Sequence, residues 1–173
     1  MTDATGVREL GFEGRVVAIF IAPAEGAPME ARDAAEALPG RGLDGDRYAI
    51  EAGKFSGTKV GKRAITLIER EAIAAANDAY GVGIDESETR RNVVVEGVAL
   101  NHLVGKEFLV GGVLLRGFDL SEPCAYLEEV TGKQVRKAFV HRGGLRAEIV
   151  EGGRIAIGDA VRPGEPNGLR TPG

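Results

Sequence analysis

Cys124 is the single thiol in this chain of 173 residues. In Ser121-Glu122-Pro123-Cys124-Ala125-Tyr126 it falls in the first turn of a helix expected over 122–130, with Ser121 as N-cap and Pro123 in the first turn. Backbone N–H groups and the helix dipole favour a thiolate there, and a thiolate is both nucleophile and soft metal ligand. Glu122, two positions earlier, works against this. The alternative is a lone cysteine packed as a small hydrophobe.

Three glycine- and arginine-bearing segments supply the remaining candidates. Gly40-Arg41-Gly42-Leu43-Asp44-Gly45-Asp46-Arg47 permits unusual backbone angles and close approach of a ligand, with charges of both signs at Asp46 and Arg47. It is not a phosphate loop, having no Gly-Lys-Ser/Thr, and a structural turn in which Asp46 pairs with an arginine is the preferred reading of the segment alone. Arg90 and Arg91 precede Asn92 and an apolar strand. Adjacent side chains on an extended segment point to opposite faces, so at most one of the two arginines is expected at any given pocket, with the other solvated or paired. Asn92 offers a donor and an acceptor to a heterocycle or a turn. His141-Arg142-Gly143-Gly144 reads equally as an anion-binding loop of backbone N–H groups and as a turn with surface charges. His141 is a candidate proton donor. One thiol, several arginines and three glycine-rich loops together suit an anionic cofactor beside a soft sulfur ligand.

The whole-chain balance agrees with that scale of ligand. Net charge is −4 and the pI about 5.4, which argues against broad attraction to nucleic acid or an anionic membrane. Six of the 22 basic residues are lysine and the rest arginine, whose planar fork suits phosphate and carboxylate. One cysteine excludes an internal disulfide and an all-cysteine cluster within the chain, and two histidines leave little for structural zinc. The longest apolar run, 16–22, is too short to cross a bilayer. The N-terminus carries no basic-then-apolar pattern, so no signal peptide and a cytoplasmic location are expected.

The elements that must position these residues are short and mostly β. Strands are expected at 14–21, 64–68, 92–95, 107–110, 113–118, 147–150 and 154–157, with Gly111-Gly112 as a two-residue hairpin turn. Helices are expected at 69–80, with Ile73, Ala76 and Tyr80 on one face, at 122–130, and at 133–140 with Val135, Phe139 and Val140 inward. Many short strands with inserted helices point to a barrel. One domain over 10–163 is expected, with flexible tails at 1–9 and 164–173, the latter part of a Pro- and Gly-rich end beginning near Arg162.

The order of five segments adds a resemblance. Gly-Leu-Asp-Gly-Asp-Arg at 42–47, Arg-Ala-Ile-Thr-Leu-Ile-Glu at 63–69, Arg-Arg-Asn-Val-Val-Val-Glu-Gly-Val-Ala-Leu-Asn-His-Leu-Val-Gly at 90–105, Glu-Pro-Cys-Ala-Tyr-Leu-Glu at 122–128 and His-Arg-Gly-Gly-Leu-Arg-Ala at 141–147 resemble the MOSC domain, named for the C-terminal domain of molybdenum cofactor sulfurase. The match runs over about 14–162, and small standalone bacterial members look most similar. The resemblance implies a mostly β fold with inserted helices, a MOSC-type β-barrel, with the cysteine at the mouth of a pocket. It implies a molybdopterin-type molybdenum cofactor with Cys124 as molybdenum ligand and catalytic residue, in an oxidoreductase acting on N-hydroxylated compounds. Gly45, Asp46, Arg47, Arg90, Arg91, Asn92, His141, Arg142 and Gly143 would line the cofactor pocket. It equally implies the alternative of a sulfur carrier, with a persulfide on Cys124 received in pyridoxal-phosphate-linked sulfur transfer from a cysteine desulfurase. Reductase relatives often carry an added N-terminal barrel or a C-terminal electron-transfer region. This sequence shows neither, so a separate electron donor is expected.

Overall fold

The computed structural model describes residues 11–50 and 63–164; the expected tails at 1–9 and 164–173 lie outside them except for Gly164. Eleven strands and three α-helices follow one another as β1 (Gly14–Ile21), β2 (Glu30–Arg32), β3 (Ala34–Leu38), β4 (Gly42–Leu43), β5 (Ile65–Glu69), α1 (Arg70–Tyr80), β6 (Val93–Glu96), β7 (Glu107–Val110), β8 (Val113–Leu120), α2 (Ala125–Thr131), α3 (Val135–Ala138), β9 (Leu145–Glu151), β10 (Gly153–Ala156) and β11 (Ala160–Pro163).

Seven strands close into a barrel in the order β11-β7-β8-β9-β5-β6-β1, because β1 pairs with β6 along its length and with β11 at Gly14↔Val161. Closure leaves these strands without a free edge. β2 extends β1 outside the ring, and β10, β3 and β4 form a small separate sheet. Among the named pairings only β5 and β6 run parallel, which requires the crossover that α1 supplies.

Residue patterning explains why the strands read as continuous apolar runs. Val93 and Val95 of β6 face the barrel interior, whereas Val94 faces a second core under the helices. Ile65 and Leu67 of β5 face inward and Ile68 outward in the same way. β1 changes parity at a bulge between Val16 and Ala18, so that Val16, Ile19 and Ile21 are inside while Ala18 and Phe20 meet the helices. Strands covered on both faces lose the alternation of a half-solvated strand.

α1 buries Ala72, Ile73 and Ala76 and ends at Gly81, in the left-handed conformation that glycine adopts without steric cost. Tyr80, expected on the same face, is half exposed because it belongs to the last, outward-turning position. α3 is shorter than expected: Val135 and Phe139 are buried, but Val140 is exposed, since the helix stops before it. Four strands carry too little pattern to be read in advance. β2, β3 and β4 are three, five and two residues long, and β11 includes Arg162 and Pro163, which had read as the start of a tail. No helix among the described residues is long and apolar enough to cross a membrane.

Candidate functional site

A pocket of about 200 Å³ lies among the starts of β5 and β6, the end of β8, the start of α2 and the turn after β4. Five arginines line it: Arg47, Arg63, Arg90, Arg91 and Arg146. Glu25 and Glu122 are the acidic lining residues, and Tyr48, Tyr126 and Leu127 supply aromatic and apolar wall. Cys124 stands on this lining as an exposed free thiol. It is the N-cap of α2 rather than a residue of its first turn, in an extended conformation, and its side chain makes no capping bond. The helix begins later than 122 because Pro123 is preceded by a strand end and Cys124 stays extended.

The turn after β4 is held by Asp46. This carboxylate is fully buried and accepts the backbone N–H of Ala22 at 2.9 Å and of Tyr48 at 3.2 Å. Its Oδ1 also takes Arg47 Nη1 at 3.3 Å. Asp46 is therefore a structural anchor that aims Arg47, and Gly45, at φ 83, completes the turn. Arg47 stacks 4.4 Å from the Tyr48 ring centroid, and its Nη2 donates to the Arg90 carbonyl at 3.4 Å.

Arg90 and Arg91 both reach the pocket, against the expectation of one. The extended geometry behind that expectation does not hold at Arg90, which is left-handed at φ 59 and closes a 3₁₀ turn over Ser87–Thr89. Arg90 is 6% exposed and donates to the Ala27 carbonyl at 2.8 Å. Burial, and then the charge of Arg47, hold its guanidinium below the usual arginine range. Arg91 donates through Nε to the Gly143 carbonyl at 2.8 Å and through Nη2 to the Ser121 carbonyl at 3.0 Å. Its guanidinium is pushed down to about 10 by burial, with Tyr48 and Cys124 pulling the other way.

Arg63 and Arg146 were not singled out in advance, although both lie inside the segments that carry the family resemblance. The register Asp119↔Arg146 between β8 and β9 places Asp119 against both of them. Arg63 Nη2 donates to Asp119 Oδ2 at 2.6 Å, and Arg146 approaches the same oxygen at 3.4 Å. Among the described residues, the buried side-chain nitrogens without a partner are Arg63 Nε and Arg90 Nη2. Both arginines belong to the pocket lining, and guanidinium N–H groups are donors suited to an anion.

The other predicted residues lie behind or beside this lining. Asn92 is fully buried, and its amide is taken up by Thr66 and the Phe20 carbonyl. Gly143 packs so closely that a Cβ there would stand 2.3 Å from the Ser121 carbonyl oxygen. Arg142 donates to the Ala138 carbonyl and sits 5.9 Å from the Tyr80 ring, outside the pocket. His141 is a surface residue at φ 60 whose backbone N–H and Nδ1 both meet the Glu122 carboxylate, at 3.1 and 3.2 Å. It thereby touches the site through Glu122, not directly.

The MOSC domain model matches residues 42–162, more than two thirds of the chain. The chain belongs to the MOSC domain family. Solved structures share this fold at low identity. The YuaD protein of Bacillus subtilis superposes with a TM-score of 0.75 at 18% identity, covering 90% of this chain and 99% of that one. YiiM of Geobacillus stearothermophilus gives 0.66 at 14% identity, covering 90% and 77%, and YiiM of Escherichia coli gives 0.62 at 15%, covering 91% and 71%. No curated protein matches the sequence. The MOSC barrel expected from the sequence is therefore the fold found, and its motif segments converge on one arginine-lined pocket.

Proposed function

We propose that this MOSC protein holds an anionic molybdenum–pterin cofactor in the arginine-lined pocket, with Cys124 as its protein ligand, and reduces N-hydroxylated compounds. The observation that carries the reading is the exposed Cys124 thiol on the same lining as the unpartnered N–H groups of Arg63 and Arg90. The donor set fits such a group. Among the described residues no three His, Cys, Asp or Glu side chains gather to hold a metal by themselves. One soft sulfur ligand suits a metal that arrives with most of its coordination already in the cofactor. Unpartnered buried guanidinium N–H groups suit the cofactor's anionic part, because leaving them unpaired costs free energy that an oxyanion recovers.

When bound, the cofactor supplies the two-electron redox chemistry. The residues of the chain bind and orient. The guanidinium groups of Arg63 and Arg90 would hold the anion, Arg47 fixes the pocket side of the Arg90 segment, and Tyr126 and Leu127 would exclude water from one wall. One cysteine cannot hold an iron–sulfur cluster, so the electrons would reach the site from another redox group or protein.

A second reading rests on Cys124 itself. Its side chain is exposed and makes no capping bond, so the sulfur is free to carry a persulfide received from a cysteine desulfurase. Metal content separates the two. Protein purified from a host that makes molybdenum cofactor is expected to contain near-stoichiometric molybdenum, lost in Cys124→Ala. Metal-free protein from such a host, with a persulfide mass on Cys124, would establish the carrier instead.

A further inference from the structure

We propose that Arg91 is a positioning residue that clamps the Cys124 segment onto the loop before β9, and that its fork, not its charge, is what the site requires. This rests on the reading of Cys124 as the working sulfur.

The segment carrying Cys124 leaves the barrel at Leu120, the last residue of β8, and reaches α2 at Ala125. Three hydrogen bonds tie its start to the 143–144 turn. The Ser121 N–H donates to the Gly144 carbonyl at 2.8 Å, and Arg91 bridges the Gly143 and Ser121 carbonyls with Nε and Nη2. Two of the three therefore come from one guanidinium. The two segments are in close contact, since a Cβ on Gly143 would meet Ser121 O at 2.3 Å and the Pro123 ring at 3.3 Å. Ser121 is 2% exposed, so its carbonyl has little access to replacement solvent. Behind Arg91, the crevice formed with Leu127, Phe139 and Gly143 has no volume for a water. On that side of Arg91 no water could take its place, and on the other side the pocket that Arg91 and Ser121 line leaves only solvent as a replacement donor.

Arginine suits this task for a geometric reason. Nε–H and one Nη–H lie in a rigid plane and address two acceptors at once, whereas a lysine ammonium is a point charge on a flexible stem. The division of labour between neighbours is then clear: Arg90 keeps an unpartnered N–H, and Arg91 directs two of its donors at backbone.

The test compares Arg91→Ala and Arg91→Lys by hydrogen exchange on full-length protein made without molybdenum cofactor. Both variants are expected to raise amide exchange at 121–127 and 143–145 about tenfold or more, while β6 amides at 93–95 keep wild-type protection. Molybdenum retained by protein from a cofactor-making host is expected to fall in both. Wild-type local exchange in Arg91→Lys would overturn the clamp, whatever the metal content. If Arg91→Ala does not fold, the lysine variant alone decides: raised local exchange supports the clamp and unchanged exchange refutes it. The exchange measurement needs no cofactor, so it stands even if the molybdenum reading fails.

Discussion

Replacing Asn92 by alanine removes a bridge among three barrel strands. The Asn92 side-chain oxygen accepts the Thr66 N–H and the Thr66 hydroxyl, each at 3.1 Å, and its amide nitrogen donates to the Phe20 carbonyl at 3.1 Å. Phe20 belongs to β1 and Thr66 to β5, and Asn92 itself immediately precedes β6. All the side-chain atoms concerned are deeply buried, with Asn92 at 0% and Thr66 at 4% exposure. A buried hydrogen bond is worth about 1 kcal/mol net, so losing three costs about 3 kcal/mol. For a chain of this size that lowers Tm by roughly 6–12 °C. Urea denaturation followed by circular dichroism measures the loss directly, with the slope expected to stay unchanged. Asn92→Asp should be at least as damaging, because it sets an acceptor against the Phe20 carbonyl and buries a carboxylate. A loss below about 1 kcal/mol in Asn92→Ala would refute the bridge. Full stability combined with lost ligand binding would return Asn92 to the pocket as a ligand contact.

Gly143→Ala is expected to destabilise by about 1–3 kcal/mol, because the new Cβ meets backbone that cannot rotate away. Gly112→Ala, which meets nothing within 4 Å, should stay within about 0.5 kcal/mol in the same melts. At Glu69 the folded carboxyl pKa is raised above its usual 4.5, chiefly by burial and in spite of a hydrogen bond from the Leu100 N–H. The native state therefore holds the proton longer than the unfolded chain, and stability contributed by the neutral form falls as pH rises above 4.5. Glu69→Gln should gain stability relative to the parent between pH 4 and pH 7; a pH-independent difference would rule this out.

The sequence by itself determined the residue types of the site and most of the barrel. The segments 14–21 and 107–110 became strands with those same limits, the first through a largely apolar run and the second through its alternation of buried Phe108 and Val110 with half-buried Glu107 and Leu109. The single cysteine before a helix, the arginine doublet and the glycine-bearing turns were also legible, since each is a local feature. What is not local was decided by the tertiary structure. Closure through β11 depends on pairing Gly14 with Val161, and no property of a four-residue strand containing Pro163 announces that partner. Asp119 sits against Arg63 and Arg146 only because β8 and β9 pair in that register. Asn92 and Gly143, both read as pocket residues, face strand carbonyls and a neighbouring segment instead. Arg90 reached the pocket beside Arg91 because a 3₁₀ turn set its backbone left-handed, where an extended pair would have parted. Residue chemistry is written one position at a time, whereas this pocket is a meeting of segments distant in the chain, from Glu25 to Arg146. Which donors remain free in it depends on every hydrogen bond that the fold has already made.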